Sequence, residues 1–276
     1  MTSAPGSKVG AVLLFAATHL VGQGVLVAPH SVYIDHAHRT AALTLYNPNP
    51  EPTEVTISTE FGYPVTDSLG RFTLHTADAP DSTERSAAGW IQAYPRRLLV
   101  APLERQTIRL LASPPAGLRD GEYWARLIIS ARGGRVPVAS SDTGAVRVQL
   151  DLIVNTNIPL AYRKGVMTTG VALTGLMGRV VGDSVEASAH LVRQGVAAYV
   201  GTVHATLIDS AGRERGSLMA PIAVYVSMDP RFRFAASVAP GWYRLRVEVT
   251  TQRDDLDPAV VLRAPTVRDS VEVHVP

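Results

Sequence analysis

The stretch that decides the fold is Val146-Arg147-Val148-Gln149-Leu150-Asp151-Leu152-Ile153-Val154. Apolar side chains recur at every second position of this stretch, namely at Val146, Val148, Leu150, Leu152 and Val154. The intervening positions include Arg147, Gln149 and Asp151. Because successive side chains of a strand point to opposite faces, the alternation predicts a β-strand with one apolar face.

Short segments with a similar rhythm fill the chain on both sides of this strand. In the first half the predicted strands are 25–27, 32–34, 40–46, 53–61, 90–94, 107–111 and 122–129, with a loop over 76–89. In the second half they are 183–193, 199–209, 221–226, 231–238, 242–250, 259–263 and 267–275. Strands at intervals of about 8–12 residues, separated by Gly and Pro turns, predict sandwiches or barrels. A length of 276 residues favours two domains. We therefore predict an all-β protein with two immunoglobulin-like β-sandwich domains in tandem, over 25–163 and 164–276.

A weak internal echo connects the two halves. Gly121-Glu122-Tyr123-Trp124 and Gly241-Trp242-Tyr243-Arg244 each place a Tyr two residues after a turn glycine. In immunoglobulin-like sandwiches a Tyr near the start of the sixth strand often bonds back to the backbone just upstream. We predict this role for Tyr123 and Tyr243; the alternative is two ordinary strand tyrosines.

The N-terminus predicts export. Lys8 precedes the apolar run Val9–Ala17, and small residues follow it. A positive residue, a short apolar stretch and small residues are typical of a signal peptide, here residues 1–24. The cut could follow Gly22 or Gly24, and a buried helix or an uncut anchor are the alternatives. No other segment is long and apolar enough to span a bilayer, so no stable membrane span is expected after cleavage.

Composition and motifs argue against catalysis. The net charge is +2 and the basic residues are scattered, so nucleic acid is not an expected partner. The absence of cysteine excludes disulfides, a thiolate nucleophile and Cys-based zinc sites. None of the nucleophile-elbow, zinc-protease or phosphate-loop patterns is present. We predict no enzyme activity and no cofactor.

Two groups of residues could bind a metal, although solvated loops are the favoured interpretation. His36 and His38, with His30 nearby, could share one strand face, but no further ligand stands at a convincing spacing. The acidic segment 254–257 could bind a cation weakly through its oxygens. We predict no metal site.

Several segments of the first half follow one another as in a known family. They are Val32-Tyr33-Ile34, 42–47, 94–102, 106–110, Leu118, 120–123 and 156–163. In this order they resemble the periplasmic pilus-assembly chaperones of the PapD-like family. Arg119 stands where that family usually has a Pro. The resemblance covers residues 25–165, whereas the second half is only generically immunoglobulin-like.

The resemblance implies a periplasmic chaperone that needs neither ATP nor a cofactor; an extracellular or surface location is the alternative. Its partners would be pilin-like or other secreted β-sandwich subunits, and an outer-membrane usher could take part. The chaperone would lend the last strand of its first domain, which here carries Val146, Val148, Leu150, Leu152 and Val154, to fill an open groove of the subunit. The alternative is that this apolar face covers the core of its own domain.

The sequence departs from the family at two positions. The family uses an Arg and a Lys to bind the C-terminal carboxylate of the subunit, and a gapless alignment puts Ser31 and Asn157 at these positions. Both can donate hydrogen bonds, but neither carries a charge. Arg39 or Arg109 could substitute. The missing cations favour the alternative function, a non-catalytic structural or adhesive surface module.

Overall fold

The computed structural model describes residues 24–78, 80, 85–137, 149–236 and 238–275. The predicted signal peptide, except Gly24, and the strand positions Val146 and Val148 lie outside these residues. The described chain contains eighteen strands, and its only helical element is a short 3-10 turn, Ala88–Trp90. The prediction of an all-β protein with two immunoglobulin-like sandwiches is confirmed.

Ten strands form the first sandwich. In chain order they are β1 (Leu26–Ala28), β2 (Val32–Asp35), β3 (Thr40–Tyr46), β4 (Thr53–Thr66), β5 (Phe72–Ala77), β6 (Ile91–Tyr94), β7 (Arg97–Val100), β8 (Arg105–Ala112), β9 (Gly121–Pro137) and β10 (Gln149–Lys164). One sheet has the order β1-β3-β8-β6. The other has the order β2-β10-β9-β4-β5, and β7 also pairs with β4. The pair β2–β10 is parallel, and the other pairs of this domain are antiparallel.

Period-two patterns create the core between these sheets. On β8, Ile108 and Leu110 are fully buried, and the residues between and beside them are exposed or half-buried. On β9, Leu127 and Ile129 are buried against them from the opposite sheet. Each such side chain contributes about 1.5–3 kcal/mol through removal from water.

Eight strands form the second sandwich. They are β11 (Thr169–Val181), β12 (Ser184–Gly195), β13 (Tyr199–Asp209), β14 (Glu214–Val224), β15 (Ser227–Met228), β16 (Arg231–Ala235), β17 (Gly241–Thr250) and β18 (Val267–Val275). One sheet contains β11-β12-β15, with β16 also paired to β12, and the other has the order β14-β13-β17-β18. Val185 on β12 and Val203 on β13 belong to the core between them.

Both predicted tyrosine bonds are confirmed. The Tyr123 hydroxyl donates to the carbonyl of Arg119 at 2.9 Å. The Tyr243 hydroxyl donates to the carbonyl of Ala239 at 2.8 Å and accepts the amide of the same residue at 2.9 Å. Each bond fastens the start of a strand to the turn four residues upstream.

The observed secondary structure differs from the predicted strands in several places. Residues 259–263 do not form a strand: Asp257 organises a turn there, accepting the amides of Ala259 on its side chain at 2.9 Å and of Val260 on its carbonyl at 3.0 Å. β11 was not predicted, because its glycines weaken the strand pattern and its register shifts near Gly175. β5 was not predicted either, and it takes Thr76 and Ala77 out of the expected loop.

Candidate functional site

The strand β10 has a long open edge. It pairs with β9 along its whole length, from Gln149 to Lys164. On its other side, β2 pairs only with Leu160–Arg163. Within the described parts of the chain, no strand covers the outer edge over Gln149–Pro159. Among the described residues, the backbone groups that point outward along this edge therefore have no partner strand.

Along the face of β10 that is predicted to bind the partner, the side chains change from exposed to buried. Leu152 is 48 % exposed and Val154 is half-buried, while Ile158 farther along the same face is fully buried. Leu150 lies in the strand. Val154 packs close to the backbone at Gly24, where a Cβ would lie 3.1 Å from Cγ1 of the valine. The partner-binding role of this face stays a prediction.

Sequence reasoning missed Ile153, which is 46 % exposed on the opposite face from its neighbours. The predicted alternation assigned polar residues to the other face and did not include this position. The register of β10 against β9 shifts between Asp151 and Ile153, where β9 carries an additional residue. The exposed apolar pair Leu152 and Ile153 thus lies where the regular sandwich pairing changes.

Ser31 and Asn157 lie near the point where the open edge stops. Parallel pairing puts Val32 opposite Leu160, so Ser31 directly precedes the first paired residue of β2. Asn157 is exposed and lies on the strand face that carries Ala161, which packs against the second domain. Arg109 lies on β8 in the other sheet and therefore does not share this face. The anchoring role of Ser31 and Asn157 stays a prediction.

An arginine that sequence reasoning missed lies on the same face. Arg126 stands opposite Pro159 on β10 and opposite Glu60 on β4. Its Nε is buried without a hydrogen-bond acceptor, and it forms no ion pair within the described part of the chain. Burial lowers the pKa of Arg126, and Tyr225 of the second domain lies close enough to interact with its charge. The sequence signal was its spacing of two from Trp124, which puts both on the outer face of β9.

Beside Arg126 the two domains meet in an aromatic cluster. Tyr63 stacks on Tyr225 with ring centroids 5.9 Å apart, and Trp124 meets Tyr225 edge-on at 5.0 Å. Phe61, Ala161 and Ala198 complete the buried part of this cluster. Burial, reinforced by the nearby Glu122 charge, raises the pKa of Tyr225 well above its usual range. The phenol therefore stays neutral and can act as a hydrogen-bond donor next to Arg126.

A buried ion pair joins the domains next to this cluster; we call it the junction. Glu122 is 2 % exposed, and its Oε2 accepts Nε of Arg163 at 2.8 Å. Its Oε1 accepts the indole N–H of Trp124 at 2.9 Å and the amide of Ala198 at 3.0 Å. Nη1 of Arg163 donates to the carbonyl of Val260 at 2.7 Å. Both charges thus have partners in both domains.

Two of the three histidines considered as metal ligands have other partners. His36 Nδ1 lies within hydrogen-bond distance of the Tyr162 hydroxyl, and His38 Nδ1 lies 2.7 Å from Oδ2 of Asp35. In the acidic segment, Asp255 forms a two-bond ion pair with Arg253. Within the residues that the structure describes, no group of three His, Cys, Asp or Glu side chains could hold a metal ion. No helix of these residues is long and apolar enough to cross a membrane.

No protein-family model and no curated protein matches this chain. Among solved structures, the chain is similar to the YadV chaperone, with 14% identity and a TM-score of 0.48 over 90% of this chain and 99% of that chain. It is similar to the CsuC–CsuE chaperone–tip adhesion subunit complex of Acinetobacter baumannii, with 15% identity and a TM-score of 0.45 over 90% and 97%. It is also similar to the CupB2 chaperone of Pseudomonas aeruginosa, with 14% identity and a TM-score of 0.40 over 91% and 100%. Each of these three structures is of a chaperone or of a complex that contains one.

Proposed function

We propose that this protein is an exported, periplasmic chaperone-like protein that binds and caps a secreted pilus or surface subunit by β-strand addition. It would do so without ATP, cofactor or catalysis. The observation that carries the proposal is the open edge of β10 over Gln149–Pro159. An unpaired edge of this length attracts another strand, because its amides and carbonyls gain main-chain hydrogen bonds from an added partner.

An exposed apolar residue on this edge supplies the side-chain part of the contact. Leu152 is about half exposed on the face predicted to bind the partner, so a partner groove that covers it removes apolar surface from water. Fully burying one such side chain contributes on the order of 1.5–3 kcal/mol before the costs of association. A subunit with an unfilled strand position in its own sandwich offers such a groove.

The pairing of β2 with β10 limits how far a partner strand can extend along β10. Because β2 occupies the edge of β10 from Leu160 onward, an added strand must end or turn away beside Ser31. A strand running parallel to β10 brings its carboxyl end to this point. Arg126 is the nearby cation without a counter-ion among the described residues, and it lies across Pro159 from the edge. We propose that Arg126, aided by Ser31 and Asn157, binds the terminal carboxylate of the partner.

The strand proposal is tested by co-expressing the protein with pilin-like or other β-sandwich subunits encoded beside its gene and isolating the one-to-one complex. Leu152→Asp should weaken the complex about 10- to 100-fold, because a charge replaces a leucine that the partner would bury. The matched control is Leu99→Asp, which changes an exposed leucine on β7. Equal affinities of both variants would refute addition at this edge.

The anchor is tested separately with Arg126→Ala and Arg126→Lys. Loss of a charge-assisted bond should weaken the complex about 10- to 100-fold in the alanine variant, with partial recovery in the lysine variant. With the Arg126→Ala variant, adding one residue to the C-terminus of the subunit should have little further effect on the affinity of the complex. If Arg126→Ala binds normally while Leu152→Asp does not, strand addition stands and the anchor is elsewhere.

The uncharged Ser31 and Asn157 favour a second candidate, a structural or adhesive module of two sandwiches. Such a module needs no subunit partner and has no reason to depend on Leu152. A protein that forms no complex with neighbouring subunits, but attaches to surfaces equally well with and without Leu152→Asp, would support the module.

A further inference from the structure

The hairpin of β4 and β5 extends beyond the first sandwich toward the second. Its tip is Asp67-Ser68-Leu69-Gly70-Arg71. Asp67 shapes this tip: its Oδ1 accepts the amides of Leu69 and Arg71, both at 2.9 Å. Gly70 adopts a φ of 73°, which an L side chain rarely takes. The tip is therefore a defined turn.

Both sides of this tip contact the second domain. The Thr66 hydroxyl accepts the amide of Asp229 at 2.8 Å. The carbonyl of Gly70 accepts the amide of Arg231 at 3.0 Å. The ring of Phe72 lies 6.2 Å from that of Phe232, which belongs to the core of the second domain. The hairpin thus touches the segment that connects β15 to β16.

The fit at Gly70 leaves no room for a side chain. A Cβ there would lie 2.4 Å from Cγ of Arg231 and 2.9 Å from the carbonyl oxygen of Asp229. The second of these atoms is backbone, so the contact cannot be relieved by rotating a side chain alone. A methyl group at this position would act as a wedge between the domains.

A second turn in the chain has the same pattern without the contact. Asp209-Ser210-Ala211-Gly212-Arg213 repeats Asp-Ser-x-Gly-Arg, and Asp209 accepts the amides of Ala211 at 2.9 Å and Arg213 at 2.8 Å. Gly212 has a φ of 79°, close to that of Gly70. A Cβ at Gly212 would meet nothing within 4 Å. The turn demands a glycine at both positions, whereas only Gly70 also faces the other domain.

We propose that the β4–β5 hairpin is an interdomain clasp that holds the second domain at a fixed angle to the first. The junction at Glu122 and the neighbouring aromatic cluster lie close to the chain connection between the domains, and contacts confined to this region permit pivoting. Small interdomain contacts in general allow relative motion. A second contact, at the tip of a hairpin distant in sequence, removes that freedom. The clasp thereby keeps Tyr225 beside Arg126, and it does so whether or not a partner strand binds to β10.

The absence of cysteine permits a direct test. Spin labels on Leu99→Cys and Met219→Cys, which are 66 % and 69 % exposed, report the distance between the domains. With Gly70→Ala we expect the distance distribution to shift or broaden by more than its original width. Gly212→Ala carries the same backbone strain and should leave the distribution unchanged.

A second variant protects the test against misfolding of Gly70→Ala. Phe72→Ala removes only the ring contact of a half-exposed side chain and should broaden the distribution without loss of folding. Parent-like distributions in both hairpin variants would overturn the clasp. A change as large in Gly212→Ala would also overturn it, because the effect would then come from turn strain and not from the interdomain contact.

Discussion

Two of the contacts between the domains, the junction and the clasp, are built differently. At the junction, the ion pair of Glu122 and Arg163 is buried and accepts or donates bonds to both domains. At the clasp, Thr66 and Gly70 accept two backbone amides near the surface, and a tight glycine fit replaces charge. The stabilisation at the junction therefore depends on the carboxylate of Glu122, while that at the clasp depends on the close fit at Gly70.

This difference teaches which substitutions each contact tolerates. A buried charge that loses its counter-ion is costly, because its hydration is not restored. Exposed backbone bonds that break are taken over by water at little cost. We therefore expect the junction to dominate stability and the clasp to dominate geometry.

The largest expected effect is at the junction. Glu122→Gln leaves the guanidinium of Arg163 largely buried without a counter-ion, and should lower the free energy of unfolding by about 3–5 kcal/mol. Phe72→Ala at the clasp should lower it by about 1 kcal/mol or less, since the ring is half exposed. Urea denaturation followed by tryptophan fluorescence measures both.

The control for the junction is Glu248→Gln, which breaks the more exposed pair of Glu248 and Arg268. Surface pairs of this kind contribute about 0–1 kcal/mol. If Glu122→Gln cost no more than Glu248→Gln, the contrast between the two interdomain contacts would be lost.

Removing the tyrosine hydrogen bonds should have an intermediate effect on stability. Tyr123 adjoins the junction, but its bond to Arg119 is exposed, while the bond of Tyr243 to Ala239 is partly buried. Tyr243→Phe should therefore cost about 1–1.5 kcal/mol and Tyr123→Phe less than about 0.5 kcal/mol. Thermal denaturation of the two variants checks this order. A larger cost at Tyr123 would mean that the junction extends beyond its ion pair.

Sequence patterns predicted most of the strands and both tyrosine bonds, because these depend on local spacing. Tyr123 and Tyr243 each follow a turn glycine by two residues, and the alternation over 146–154 specifies a strand wherever the chain goes. The open edge could not be predicted, because it depends on how many residues of β2 pair with β10. Arg126 was missed for a related reason. From sequence alone, a single arginine in a strand is expected to be solvated, and the burial of Arg126 depends on the second domain.

The clasp was equally invisible in the sequence. Asp67 and Asp209 begin the same five-residue pattern, and that pattern correctly implies the same turn at both places. Nothing within either turn indicates that Gly70 meets Arg231 and that Gly212 meets nothing. Local sequence determines the shape of a turn, whereas its neighbours are determined by the packing of the domains.

The smallest expected effect is a difference in how the two turns respond to low pH. Hydrogen bonds from the backbone amide and the guanidinium of Arg71 lower the pKa of Asp67. Hydrogen bonds from the Arg213 amide and from the guanidinium groups of Arg215 and Arg213 lower the pKa of Asp209 to about 2. Because each pKa is lower in the folded protein than the unfolded value of about 3.9, the ionised carboxylates stabilise both turns at neutral pH. This stabilisation is lost as the pH falls below about 4 toward the folded pKa.

Amide resonances of Leu69 and Ala211, followed by NMR between about pH 5 and pH 2, report the two transitions. We expect both turns to loosen in acid, and only the loosening at Asp67 to accompany a change in the spin-label distance across the domains. Asp209→Asn should leave that distance unchanged at any pH in this window, while Asp67→Asn should shift it already at neutral pH. If the distance instead follows the Ala211 resonance, acid acts on the second sandwich as a whole, and the difference between the clasped and the free turn has no mechanical consequence.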